Sequence, residues 1–360
     1  MRVGLALPAM LDGLDRRGVL DWARRIEEDG YSTIGFGERI SYRNLEMFSV
    51  LSAAAAVTER VDIAASVVVL PMHSEVWVAK QMATLDVISG GRAVLGVGVG
   101  GRAEDYEVLD APFARRWDRL DAQVARIRRL WDGELPLPGQ VALGPPPVHR
   151  IPIMSAGVGP RSLARSAAWA DGINGFELDP SPLALGAAAD RTRAAWTTAG
   201  RAEPPFVMTS WWVALGADPL PQLHSYARHY LGVFGPELAG ALAHSCTAAG
   251  PAALRAGVDA AIEAGYDEIQ LVPTATDLTQ LDELTHLHSD LLRHTPPPNW
   301  RQASRGGAQS PSSPVTAPTA ASARACASSA AWRASTAAAA ASSASLASRA
   351  ASLVSRSAVR

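Results

Sequence analysis

The chain has 360 residues, of which 48% are hydrophobic and 19% charged, with a formal charge of -2. That length buries a core of full size, and the composition lies well away from the low-hydropathy, high-charge chains that stay disordered. Near-neutral charge gives no reason to expect a nucleic-acid or membrane-surface partner, and Cys246 and Cys326 match neither a metal spacing nor a secreted disulfide framework.

Through residues 1–295 short β-type runs alternate with longer amphipathic ones, the signature of βα units around a parallel sheet. The runs read as strands are 3–7, 33–37, 62–69, 93–98, 152–156, 172–176, 205–214 and 268–272. Helical periodicity falls at 18–29, 46–58, 76–88, 120–131, 161–170, 190–200, 252–264 and 278–292. Gly30, Gly90-Gly91 and Gly265 supply the expected helix stops. Eight such units favour a closed (β/α)8 TIM barrel in the α/β class, with residues 219–246 as extra helices near strand seven that cover the C-terminal mouth.

The apolar run after Met1-Arg2 is too short for a secretory signal, and no stretch approaches the roughly 20 apolar residues that span a bilayer. A cytoplasmic, membrane-free protein is therefore expected. Beyond residue 295 the chain is mostly Ala, Ser, Pro and Arg, with no Asp, Glu or Lys. Residues 296–360 are expected to be a disordered low-complexity tail, because they have too few large apolar side chains to offset ordering entropy.

Among local motifs, residues 151–163 are the most informative: a buried strand runs into Ala156, Gly157, Val158 and Gly159, then Pro160 and Arg161 open an amphipathic helix. Amides at such a helix start have no intrahelical acceptor, so a phosphate is the expected guest. The competing reading is a tight turn that binds nothing. Gly96-Val97-Gly98-Val99-Gly100-Gly101 satisfies the dinucleotide G-x-G-x-x-G pattern but opens into no helix with an acidic residue ending the next strand, so it is set aside. Glu38-Arg39 after strand two, and Arg102, Glu104 and Asp105 after strand four, stand where barrel enzymes build their sites, although each also reads as an ordinary rim ion pair. Neither His73 nor His149 has metal-ligand spacing, and no G-x-S-x-G elbow is present. Alternation along strand seven must send one of Trp211 and Trp212 into the barrel.

Taken in order, Ser66-Val67-Val68-Val69-Leu70-Pro71, the helix from Ala79-Lys80-Gln81 to Ser89-Gly90-Gly91-Arg92, and Leu95 to Gly100 resemble the luciferase-like flavin-dependent oxidoreductases. Pro112-Phe113-Ala114-Arg115-Arg116, Ala170-Asp171-Gly172 and Ala264 to Glu268 are similar to the same family, and the likeness covers most of residues 1–292. The resemblance implies a barrel that binds FMN or the deazaflavin coenzyme F420, with the phosphate beside Gly157, Val158 and Gly159 and within the turn from Ala156 to Arg161. It implies a non-prolyl cis bond at Ser66-Val67 supporting one face of the ring system, with Val99 nearby. Many relatives end strand two with an acidic residue and a histidine; this chain has Glu38-Arg39, so the histidine's role does not carry over. Arginine is a poor general acid but can hold an anionic ring or a carboxylate, leaving Glu38 and Glu104 as candidate proton donors. The implied activity is hydride transfer to, or oxygenation of, a small organic substrate, with a separate flavin reductase if FMN is used and a homodimer as the form that relatives commonly adopt. Two other classes stay open: a non-flavin barrel enzyme acting on a phosphorylated metabolite, and a non-catalytic flavin-binding relative.

Overall fold

The computed structural model describes residues 1–292, so the expected tail at 296–360, and Cys326 with it, lies outside the described residues. Strands β1 (Arg2–Ala6), β2 (Thr33–Phe36), β3 (Asp62–Val69), β4 (Ala93–Gly98), β5 (Ile153–Ser155), β6 (Gly172–Phe176), β7 (Phe206–Val213) and β8 (Glu268–Pro273) close in sequence order into one parallel barrel. Their sequences are close to continuously apolar because one face meets the barrel axis and the other the helices. Closure pairs the first strand with the last, Arg2 opposite Glu268 and Leu5 opposite Leu271.

Helices α1 (Arg16–Glu28), α2 (Met47–Ala56) and α3 (Glu75–Ser89) cover the first strands. Each starts where a polar side chain takes an orphan amide: Asp15 from Gly18, Glu46 from Phe48 and Ser49, Ser74 from Trp77. Helices α4 (Ala103–Val108) and α5 (Arg116–Trp131) follow β4, then α6 (Pro160–Ser166) and α7 (Pro182–Thr198) flank β6. After β7 come α8 (Pro219–Leu231) and α9 (Pro236–His244), the expected extra helices, then α10 (Gly250–Glu263) before β8 and α11 (Leu278–Leu292) after it.

β3 and β4 have the bounds expected from sequence. Two helices differ. The six-residue α4 forms in what reads as a charged loop, and α7 begins at Pro182 rather than residue 190, since a proline at the first helical position is a start signal. Among the described residues no helix is long and apolar enough to cross a membrane.

Strand alternation fills the barrel in layers. The floor is ionic and buried: Arg2 Nη2 lies 2.6 Å from Asp62 Oδ2 and Arg2 Nε 3.4 Å from Glu268 Oε2. The Ser32 hydroxyl donates to Glu268 Oε1 at 2.9 Å. Above it Ala64, Val94, Met154 and Met208 make an apolar layer. Ser66, Asn174, Ser210 and Gln270 form the next level, at the base of the open mouth.

Candidate functional site

At the mouth a cavity of about 580 Å3 is walled by the C-terminal ends of β2 to β7 and by α8 with the 3-10 turn after it. That volume falls in the range of small-molecule and cofactor sites, roughly 300–1,000 Å3. Glu38, Arg39, Ser66, Val67, Val99, Ala156, Gly157, Val158 and Gly159 all stand on its wall. Two expected residues do not: Glu104 and Arg161 are exposed and face away from it. One helical turn explains Glu104. In α4 its neighbours Asp105 and Tyr106 turn inward and are buried, which sends Glu104 to solvent.

The Ser66–Val67 peptide is cis, and the pairing of β3 with β4 shifts register between Ala65 and Val68. The resulting bulge presents Val67 to the cavity beside Gly98. A Cβ on Gly98 would stand 3.2 Å from Val67 Cγ2 and 3.5 Å from Ala156 Cβ, so the bare Cα keeps this wall level. Asn174 Nδ2 donates to Ser66 Oγ at 2.9 Å and fixes the bulge from across the barrel.

At the far end of that wall Ser155 is buried and its Oγ accepts from Gly157 N at 3.2 Å, which sets the turn into α6. A Cβ on Gly157 would come within 2.7 Å of Ser162 Cβ, so the turn admits only glycine there. Gly159 is the N-cap, with extended backbone and no side-chain cap, and Pro160 brings no amide of its own. First-turn amides left without a cap are anion-binding groups.

Opposite the turn, Glu38 is held twice. Its Oε2 accepts from Val69 N at 2.8 Å and its Oε1 lies 2.8 Å from His73 Nε2. The Glu38 side chain is 8% exposed and that of His73 22%, so the pair links the cavity wall to solvent. In the sequence His73 lacks metal-ligand spacing and carries no local sign of this contact, whose partners lie 35 positions apart. Among the described residues no cluster of His, Cys, Asp and Glu is arranged for a metal.

Arg39 lies between two rings, its Cζ 4.2 Å from the Tyr42 centroid and 4.8 Å from that of Tyr230. This stacking holds the guanidinium at the cavity edge. Asp105 Oδ1 accepts from Ser41 N at 3.0 Å while its Oδ2 lies 3.3 Å from Arg102 Nε, tying the loops after β2 and β4 together. Burial pushes the Tyr106 phenol up to about 12, and its neutral hydroxyl donates to Val99 O at 2.7 Å. Of the two adjacent tryptophans, Trp212 faces the mouth and Trp211 the helix layer against Gly257 of α10.

Comparison with known proteins shows the family and the fold. A family model described as luciferase-like monooxygenase matches residues 1–244. A pyrimidine monooxygenase, RutA, of Cronobacter turicensis is 31% identical over 195 residues, which is 48% of this chain and 50% of that protein. The chain thus matches about half the length of the curated relatives first found. Among solved structures, an F420-dependent secondary alcohol dehydrogenase superposes with a TM-score of 0.67 at 17% identity, over 79% of this chain and 97% of that one. The FMN complex of the oxygenating constituent of 3,6-diketocamphane monooxygenase from Pseudomonas putida gives 0.59 at 16% identity, over 80% and 96%. At such identities the superpositions show a shared fold and nothing finer.

Proposed function

The chain belongs to the luciferase-like monooxygenase family, and on that premise we propose that it is an oxidoreductase holding FMN or coenzyme F420 in the mouth of the barrel. The observation that carries this reading is one continuous wall. It runs from the uncapped turn at Gly157 to Gly159, past Gly98, to the Ser66–Val67 bulge, with no bulky side chain between anion site and flat surface. Such a wall fits a planar ring with a phosphate-bearing tail. When bound, the group supplies a hydride equivalent, or in the case of reduced flavin the means to activate dioxygen.

The protein's own residues divide the remaining work. The amides of Val158, Gly159 and Arg161 receive the phosphate, and Arg161 contributes through its backbone because its side chain points to solvent. Val67 and Val99 flank the ring, and Arg39, fixed between its two tyrosines, offsets negative charge at the edge. Glu38 exchanges a proton with the reacting molecule and re-equilibrates with water through His73. Glu104 is too exposed for that role.

The same reading assigns residues 1–295 to the catalytic domain of a cytoplasmic enzyme that acts on a small organic molecule. It also implies pairing with a second copy and, with FMN, a separate flavin reductase. Parallel titration with FMN and coenzyme F420, followed by assay of each reduced complex under air and under nitrogen, tests it. Saturable binding of one is expected, and binding of neither refutes the proposal.

A further inference from the structure

Beside the main cavity lies a smaller chamber of about 210 Å3, walled by the ends of β1, β2, β7 and β8 and by α8. The two share Met10, Gly37, Ser66, Phe176, Ser210 and Tyr230, so the chamber opens into the main cavity. No charged side chain lines it. Trp212 is its back wall, with ring centroids 4.7 Å from Phe176, 5.0 Å from Tyr230 and 5.6 Å from Tyr226. Burial holds the Tyr226 phenol well above its usual range, so the wall stays neutral at working pH.

One polar group in this aromatic lining is unexplained. Gln270 is 2% exposed, and its Nε2 finds no acceptor among the described residues. Its amide lies over the bare Cα of Gly35, where any Cβ would collide with it, so both residues are matched to keep the amide in place. Fully buried side-chain donors are almost always paired, and an orphan at the wall of a cavity is the pattern left when the acceptor belongs to a ligand.

We propose that this chamber seats the organic substrate, and that the substrate is a neutral, planar carbonyl compound whose oxygen is received by Gln270 Nε2. The aromatic walls select a flat molecule, and the lining carries no cation, with Arg39 held on the Tyr230 ring in the main cavity, so a carboxylate buried in the chamber would lack a direct partner. A site built around a hydrogen bond discriminates strongly against an isostere that cannot make it. Calling the occupant the substrate rests on the oxidoreductase reading above; the recognition chemistry does not.

Acetophenone and α-methylstyrene differ only in carbonyl oxygen against methylene, and benzoate adds charge. Their affinities for the full chain, measured by ligand-observed NMR with and without FMN or coenzyme F420, test the assignment. Acetophenone is expected to bind at least about 10-fold more tightly than α-methylstyrene, and benzoate to bind least of the three. Gln270→Met, which keeps the length and removes the amide, should abolish that preference while leaving cofactor affinity unchanged, with Gln270→Leu as a second variant. Equal binding of the two isosteres by the unaltered protein overturns the inference, as does a preference that survives in a folded Gln270→Met protein. A preference shown without binding of either cofactor supports the chamber and sinks the oxidoreductase reading. Cofactor binding with no preference does the reverse.

Discussion

Gly159→Asp separates the anion site from the turn that carries it. Position 157 cannot serve, because any side chain there strikes Ser162. Gly159 has φ -78 and ψ 158, which any residue adopts, and a Cβ would meet nothing nearer than Ser162 Oγ at 3.6 Å. An aspartate here is a good N-cap and sits at the positive end of α6, so the fold should gain about 0.3–1 kcal/mol. For a chain this long that raises Tm by about 1–2 °C. The same carboxylate occupies the amides meant for phosphate. At about 4 Å in water each pair of like charges costs about 1 kcal/mol, hence about 2 kcal/mol against a dianion. Loss of a charge-assisted hydrogen bond adds about 1.5–3 kcal/mol. Together a loss of about 3.5–5 kcal/mol weakens FMN binding about 400- to 5,000-fold. Riboflavin, which lacks the phosphate, should change less than about twofold on the same estimate, and Gly159→Asn should fall between, since it caps without charge. Fluorescence titration of both flavins, with the deazaflavin coenzyme and its phosphate-free chromophore in parallel, gives the ratios. If Tm rises while FMN binds as tightly as before, the phosphate does not sit at this turn.

Glu38→Gln keeps an acceptor for Val69 N but removes the ionisable group, so the variant should fold, bind cofactor normally and lose about 10²- to 10⁴-fold in kcat; an unchanged kcat in steady-state assay would take Glu38 out of the proton path. Arg2→Met removes the cation between Asp62 and Glu268 and should cost about 3–5 kcal/mol in denaturant unfolding. Burial alone would raise the Asp171 carboxyl, but Arg128, Arg150 and the Ile153 amide outweigh it and hold it below the usual range. Its stabilising effect is therefore complete above that usual range and disappears as pH falls through the depressed value. Asp171→Asn should cost about 1–3 kcal/mol at neutral pH and flatten the acid limb of the stability curve, which urea midpoints between about pH 6 and pH 2 would show.

Much of the fold was legible because buried parallel strands write themselves as apolar runs. The segment 62–69 holds no alternative period, and it forms β3 with those bounds. The turn after β5 was readable for a similar reason: Gly157 and Pro160 each answer a backbone demand that few other residues meet. Contacts made by barrel closure were not readable. Glu38 and His73 stand 35 positions apart, and nothing local says that the loop after β3 folds back on the end of β2. Gln270 is plainer still: within a strand pattern it is one polar residue among apolar ones, and its meaning appears only when Gly35 and Trp212 arrive around it. Glu104 shows the opposite error. In the sequence Arg102, Glu104 and Asp105 form one charged group, but a single helical turn divides them between cavity and solvent.

The ionic floor bears on how the ring shuts. Arg2 belongs to the first strand, while its carboxylate partners come from the third and the last, so the triad is complete only when β1 and β8 meet. A slip of one residue at that seam would turn Arg2 outward and leave two acids facing each other in a dry interior. A closure slipped by one residue is therefore denied its ion pairs and also left with two buried carboxylates unpaired.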